Sequence, residues 1–219
     1  RRAFIGHAVT LAAGSALLPL AGCVTQQPNS ADAWAMVGDI RRNIVAPVFP
    51  DRDFPVTEYG ARGDAETDCT GPIRDAIRAC SEAGGGRVVV PEGLYRTGPV
   101  HLLSNVNLHI TEGATLVFYT DPKKYLPAVF TRWEGTEVMN FSPLVYAFEQ
   151  ENIAITGSGT LDGGANEENW WLFKEGKYGN SPDNPTKDRM TAMGDAGVPP
   201  EQRIFGADSQ LRPSFVQPY

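Results

Sequence analysis

An internal repeat in the middle of the chain restricts the possible folds more than any other feature of the sequence. Residues 107–116 read Asn-Leu-His-Ile-Thr-Glu-Gly-Ala-Thr-Leu, and residues 152–161 read Asn-Ile-Ala-Ile-Thr-Gly-Ser-Gly-Thr-Leu, 45 positions later. The stretch Asp121–Phe141 lies between the two copies, is rich in charged and aromatic residues, and shows no repeat. Without that stretch the repeat is about 25 residues long, the length of one coil of a parallel β-solenoid.

Short strand patterns separated by Gly, Pro and Asn run from Arg87 onward. No long helical pattern separates them, which excludes alternating βαβ units. One coil of short strands cannot bury its apolar side chains alone, so coils must stack. The offset predicts that Leu108 stacks on Ile153 and Ile110 on Ile155. The sequence therefore predicts an all-β, right-handed parallel β-helix with strands at Val88–Val90, Leu94–Arg96, Val100–Leu102, Val106–Ile110, Thr115–Phe118, Leu144–Phe148, Ile153–Thr156 and Thr160–Leu161.

A helix is predicted at residues 72–83, just before the first of these strands. Asp68 or Thr70 can cap its start, and Gly84–Gly86 can end it because glycine readily adopts the left-handed conformation. Its apolar positions follow helical spacing, so one face can be buried. We expect this helix to cap the open first coil. The apolar positions are Ile73, Ala76, Ile77 and Cys80.

The first 22 residues have the pattern of an export signal. Arg1-Arg2 precedes an apolar run, Ala8–Leu20, that is too short to cross a bilayer. The paired arginines resemble the twin-arginine export motif of bacteria. Leu20–Cys23 (Leu-Ala-Gly-Cys) resembles a lipoprotein cleavage box, in which Cys23 becomes the lipidated first residue. A plain signal peptide with an incidental cysteine is the alternative.

These patterns predict an exported bacterial lipoprotein, periplasmic or attached to the outer membrane, that contacts the membrane through its lipid. Residues 23–33 would carry the lipid and act as a polar tether, and residues 34–219 would form the folded domain. Within that domain, the helical spacing of Trp34, Val37, Ile40 and Ile44 predicts a short helix before Pro47.

The charge balance and the cysteines limit the partners. A net charge of −7 argues against nucleic acid, and a polyanionic substrate would need a local basic cleft. Cys69 and Cys80 lie on or beside the predicted helix, too far apart for a disulfide. The three histidines and three cysteines form no metal-binding motif, so neither a metal nor a cofactor is expected.

Several strings of the domain occur in a characteristic order and spacing: Val56–Asp64, Ala79–Gly93, Tyr95–Gly98, Leu103–Leu108, Gly157–Gly163 and Trp170-Trp171. Together they resemble glycoside hydrolase family 28, the polygalacturonases and their exo-acting bacterial relatives. The resemblance runs from about Trp34 to the last residue, and the string Thr131–Gly135 points to the bacterial subgroup. It implies a pectic oligo- or polysaccharide as substrate.

The resemblance also implies the chemistry, which is hydrolysis of α-1,4-linked galacturonate with inversion. Two carboxyls about 6.5–9.5 Å apart hold a water between them in such enzymes. In the family these carboxyls stand in an Asn-Thr-Asp string and a following Asp-Asp pair. Neither string occurs in residues 1–219, so no catalytic residue is assigned, and the catalytic residues are expected beyond Tyr219.

The predicted contacts with substrate are Arg132 and Trp133, in the long stretch between repeats. A cation beside an aromatic ring suits the carboxylate of a uronic acid, although surface packing explains these residues equally well. Asp162 is expected to stabilise its own turn, and Trp170 and Trp171 to pack against the solenoid wall. Two other functions stay open: a β-helix lyase, with acidic calcium ligands and a basic residue, or a non-catalytic carbohydrate-binding protein.

Overall fold

The structure, a computed structural model, describes residues 30–173, 185–207 and 209–219. The predicted export signal and Cys23 lie outside the described residues. The chain separates into two compact units after Val45. In the described part of the first unit, helix α1 spans Ser30–Asn43, which confirms the helix predicted before Pro47. Among the described residues, no helix has the length and apolar character needed to cross a membrane.

The second unit, Ala46–Tyr219, is a right-handed parallel β-helix, as predicted. Its coils contribute strands to three parallel sheets, which are stacked in the orders β1-β3-β6-β11, β2-β4-β7-β12 and β5-β10-β13. An antiparallel hairpin, β8–β9, and helices α2 and α3 are added to the coils. The elements are β1 (Asp53–Pro55), β2 (Asp64–Asp68), α2 (Thr70–Glu82), β3 (Gly86–Val90), β4 (Gly93–Thr97), β5 (Val100–His101), β6 (Val106–Ile110), β7 (Ala114–Phe118), β8 (Val129–Trp133), β9 (Thr136–Asn140), β10 (Val145–Ala147), β11 (Ala154–Gly157), β12 (Thr160–Asp162), α3 (Pro185–Asp195) and β13 (Val216–Pro218).

Every predicted strand is present to within two residues, and aligned aliphatic side chains fill the interior. Val88 of β3 pairs with Leu108 of β6, and both side chains are fully buried. The coil is shorter than the predicted repeat of about 25 residues. Gly86 pairs with Val106, 20 positions on. The stretch inserted between the repeat copies is correspondingly longer than Asp121–Phe141.

The predicted stacking of Leu108 on Ile153 and of Ile110 on Ile155 is wrong by two residues. Leu108 pairs with Ile155, and Ile110 pairs with Gly157. The next strands keep the predicted offset, because Thr115 pairs with Thr160. The turn between β11 and β12 is therefore two residues shorter than the turn below it. A Cβ atom on Gly157 would lie 1.9 Å from the Ile110 carbonyl oxygen, so only glycine lets the shortened turn pack this closely.

Helix α2 buries the predicted stripe of Ile73, Ala76, Ile77 and Cys80 against the first coils. The Asp68 carboxylate accepts hydrogen bonds from the backbone N–H (3.0 Å) and the hydroxyl (2.6 Å) of Thr70 at its start. The helix does not precede the first strand, however. Strands β1 and β2 come before it, and α2 lies beside β5 at the edge of the third sheet.

Both cysteines of this region are free and buried, which confirms that they do not bond to each other. Burial raises the pKa of the Cys80 thiol to about 11 and also raises that of Cys69. The Cys69 sulfur lies 3.4 Å from the carbonyl oxygens of Arg62 and Thr67. These thiols therefore stay protonated at neutral pH and act as small apolar groups of the core.

Candidate functional site

Two long insertions leave the solenoid at the same corner. The first, residues 119–144, joins β7 of the second sheet to β10 of the third, and the second, residues 163–215, joins β12 to β13. Because β7 and β12 are neighbours, as are β10 and β13, the two insertions emerge one above the other. Insertions on one face of a repeat fold commonly form its binding face.

The two insertions are joined by an apolar cluster separate from the solenoid interior. Strands β8 and β9 of the first insertion form a hairpin whose turn residues, Glu134 and Gly135, both have positive φ. In the second insertion Phe205 donates its N–H to the Met139 carbonyl at 2.7 Å, and Arg203 accepts from the Met139 N–H at 3.0 Å. The cluster that holds the insertions together consists of Trp133, Val138, Met190, Phe205 and Leu211.

A cleft of about 630 Å³ lies between the insertions and the C-terminal coils, and we call it the insertion cleft. This volume is within the range of sites that hold small molecules. Its lining combines aromatic and aliphatic surface with two arginines and two carboxylates. The lining side chains used below are Arg132, Trp133, Glu134, Leu144, Asp162, Trp170, Arg212 and Phe215.

Arg132 lines the insertion cleft, but its charge is already compensated. Its guanidinium donates to Glu137 at 3.2 Å and lies 5.5 Å from the centre of the Tyr219 ring. The Tyr219 hydroxyl donates to the same carboxylate. These hydrogen bonds, from Tyr219 first and from Arg132 next, lower the pKa of Glu137. Arg132, Glu137 and Tyr219 thus form a surface cluster in which the charges of Arg132 and Glu137 offset each other.

Trp133 also lines the insertion cleft but gives most of its ring to packing. Only 8% of the residue is exposed, because it belongs to the cluster that joins the insertions. The Lys187 ammonium lies 6.0 Å from the ring centre and pairs with Glu134 at 3.2 Å. The structure therefore brings both predicted contact residues, Arg132 and Trp133, to one cleft, each with contacts inside the protein.

Of the remaining sequence expectations for this region, those for Asp162 and Trp170 agree with the structure, whereas Trp171, predicted to pack against the solenoid wall, is exposed. The Asp162 carboxylate accepts a hydrogen bond from the Gly164 N–H at 2.9 Å, which is the predicted turn contact. Trp170 is buried, and its ring centre lies 5.5 Å from that of Tyr125. Trp171 is 41% exposed. Asp162 and Trp170 also line the insertion cleft, so the residues that hold this turn and pack this wall shape the cleft too.

Sequence reasoning missed Arg212 and Phe215, the cleft residues that end the second insertion. Arg212 is exposed, and Phe215 is 45% exposed with its ring edge against Phe118. The available sequence signal was a cation, Arg212, directly after an apolar residue, Leu211. In the structure Leu211 is buried and Arg212 is exposed. Among the described residues, no group of three or more His, Cys, Asp or Glu side chains is arranged to hold a metal ion.

Comparison with known proteins gives partial matches to galacturonosidases and to mannuronan epimerases. No family model matches the chain. An exo-poly-α-D-galacturonosidase of Dickeya chrysanthemi is 33% identical over 116 residues, 49% of this chain and 19% of that enzyme. The mannuronan C5-epimerase AlgE3 of Azotobacter vinelandii is 50% identical over 123 residues, 51% of this chain and 7% of that enzyme.

Among solved structures, the hyperthermoactive exopolygalacturonase of Thermotoga maritima superposes with a TM-score of 0.79 at 45% identity. The match covers 85% of this chain and 43% of that one. The chain thus spans less than half of that structure and about a fifth of the Dickeya enzyme. It is homologous to exopolygalacturonases over about half of its length or more, and it shares their parallel β-helix fold.

Proposed function

We propose that the protein is a pectin-degrading glycoside hydrolase of the polygalacturonase type, which hydrolyses α-1,4-galacturonosyl linkages with inversion. The observation that carries the proposal is the similarity to an exopolygalacturonase over 85% of this chain at 45% identity. The insertion cleft supports it. Exposed aromatic surface suits the apolar faces of sugar rings, and arginine suits the carboxylate of each uronate unit.

The catalytic carboxyls are proposed to lie C-terminal to Tyr219, with residues 1–219 supplying one wall of the substrate groove. Inverting hydrolysis needs one carboxyl that is protonated at working pH and a second that activates water. The two acids lining the insertion cleft serve other roles, because Asp162 holds a turn and Glu134 pairs with Lys187. Arg132 and Trp133 stay the predicted substrate contacts on this wall.

A hydrolysis assay tests the proposal. Protein expressed from the complete reading frame is expected to release reducing sugar from polygalacturonic acid without added calcium. Residues 24–219 expressed alone are expected to bind pectic oligomers weakly and to hydrolyse none, because the proposed catalytic pair lies outside them. Hydrolysis by residues 24–219 would show that the catalytic pair is misplaced. Calcium-dependent, unsaturated products from the longer protein would instead identify a lyase.

Action on mannuronan is the second candidate, favoured by the 50% identity to a mannuronan C5-epimerase over 123 residues. Both polymers present a carboxylate on every sugar, so the same cleft chemistry suits either. The two substrates separate the candidates directly. Conversion of mannuronate units to their C5 epimers, with polygalacturonic acid left intact, would replace the first proposal by the second.

Export by the twin-arginine route and anchoring by a lipid at Cys23 are part of the proposal, supported by the residue pattern of the first 23 positions. The protein would then act in the periplasm or at the outer membrane. Replacing Cys23 by Ser is expected to move it from the membrane fraction to the soluble fraction, because acylation supplies the anchoring hydrophobic free energy. A Cys23→Ser protein that sediments with membranes as the wild type does would exclude the lipid anchor.

A further inference from the structure

Arg212 differs from the other arginine of the insertion cleft in having no partner in the described part of the chain. It forms no hydrogen bond or ion pair with any residue that the structure describes. Arg132, by contrast, is bound to Glu137 at 3.2 Å. A guanidinium without a protein partner is free to form two parallel hydrogen bonds with a ligand carboxylate. The charge available for an anionic ligand in this cleft therefore belongs to Arg212.

The backbone that carries Arg212 is held on both sides. Leu211 is fully buried in the cluster that joins the insertions, and its carbonyl accepts a hydrogen bond from the Asn140 amide at 2.9 Å. Two residues later the Ser214 carbonyl accepts from the Leu144 N–H at 3.0 Å. Pro213 between them fixes its own φ. Binding a ligand at Arg212 thus requires ordering one side chain and not a loop.

The surroundings of Arg212 suit a sugar that carries an acid. Phe215, 45% exposed, lines the same cleft three positions later, and Leu144 and Trp170 add apolar surface. The two carboxylates of the lining are engaged, Glu134 by Lys187 and Asp162 by its turn. Since the whole chain carries a net charge of −7, attraction of an anionic polymer must come from such a local cation.

We propose that Arg212 binds the carboxylate of a uronate unit held in the insertion cleft, and that this contact makes the cleft prefer acidic sugars over their esters. The proposal rests on the proposed function and adds to it the residue that recognises the acid. Arg132 contacts the sugar with its charge already paired to Glu137, and the guanidinium of Arg212, which has no described partner, distinguishes a charged sugar from a neutral one.

The test is a calorimetric titration of the protein expressed from the complete reading frame. The probes are a sulfur-linked trigalacturonate, which a glycoside hydrolase does not cleave, and its methyl ester. Wild type is expected to bind the free acid about tenfold or more tightly than the ester, the effect of one charge-assisted hydrogen-bonded contact. Arg212→Gln is expected to abolish that preference while leaving ester binding unchanged. Arg212→Lys should keep part of it, because an ammonium retains the charge but not the planar pair of donors.

Arg62→Gln is the matched control, since it removes the same charge from an exposed residue that does not line the insertion cleft. It is expected to keep the wild-type preference. Arg212→Gln should also melt at the wild-type temperature, because its side chain has no described partner to lose. If Arg212→Gln retains the preference for the acid, the inference is wrong and the proposed function stands. If wild type binds neither probe, both are wrong.

Discussion

Ile77→Asp is expected to unfold the β-helix at temperatures where the wild type is folded. Ile77 lies on the buried stripe of α2 with 1% of its surface exposed. The substitution removes a packed aliphatic side chain and places an unpaired charge against the first coils. The expected loss in free energy of unfolding is about 4 kcal/mol or more, a large fraction of the stability of an ordinary domain.

Arg78→Asp, on the exposed face of the same helix, is the control. Arg78 pairs with Asp75 at 3.2 Å, but 57% of its side chain is exposed, so the expected loss is about 1 kcal/mol or less. Urea denaturation followed by circular dichroism measures both variants. If the two variants have equal stability, α2 does not cap the solenoid as the structure indicates.

Gly157→Ala is expected to have the second largest effect, because the shortened turn of the last described coil rests directly on the coil below it. The added Cβ would lie 1.9 Å from the Ile110 carbonyl oxygen and 2.7 Å from its carbonyl carbon, and both are backbone atoms that cannot rotate away. Gly157 also has a φ of +99°, which strains any residue with a Cβ. Steric overlap and backbone strain therefore both destabilise the variant.

Gly60→Ala separates the two contributions. Gly60 has a φ of +96°, almost the same as Gly157, but no heavy atom lies within 4 Å of the Cβ position. Gly60→Ala is expected to lose about 1–2 kcal/mol from backbone strain alone. Gly157→Ala is expected to lose about 2 kcal/mol more, from the forced separation of two coils. Equal melting temperatures for the two variants would contradict the observed register of β11 on β6.

That register also shows where sequence reasoning stops. The strands could be predicted because residues of period two alternate between interior and surface, and the repeat located matching coils. A pairing shifted by two residues leaves every side chain on the same face, so the hydrophobic pattern of Ile153 and Ile155 cannot distinguish one pairing from the other. The choice between the two pairings depends on the number of residues in the turn between β11 and β12, and that number is apparent only from the stacked coils.

Strands β1 and β2 were missed for a different reason. Asp53–Pro55 is only three residues long, and Asp64–Asp68 contains one apolar residue, Ala65, so neither shows a strand pattern of its own; they are strands because they pair with β3 and β4. The hairpin β8–β9 could have been predicted. Glu134-Gly135 is a two-residue turn with glycine in second place, and strand-like residues flank it on both sides.

The two substrate contacts predicted from the sequence line the insertion cleft, and their role in binding substrate stays a prediction. The stretch between the repeat copies does form a wall of the insertion cleft, and Arg132 and Trp133 do line it. The sequence could not show that the hairpin places Arg132 beside Glu137, or that Leu211 and Ser214 hold Arg212 free at the other wall. The second fact depends on contacts between the two insertions, whose residues are far apart in the chain. The first depends on the register of the β8–β9 hairpin, which was not predicted and in which Arg132 pairs with Glu137.

The proposed function is tested most directly by following the hydrolysis of trigalacturonate by NMR, with protein expressed from the complete reading frame and without calcium. Inversion at an α-linked sugar predicts that the first galacturonate released carries the β-anomeric proton signal, and that the α signal grows later by mutarotation. Initial release of the α-anomer, unsaturated products, or no cleavage of the trimer would each contradict an inverting polygalacturonase.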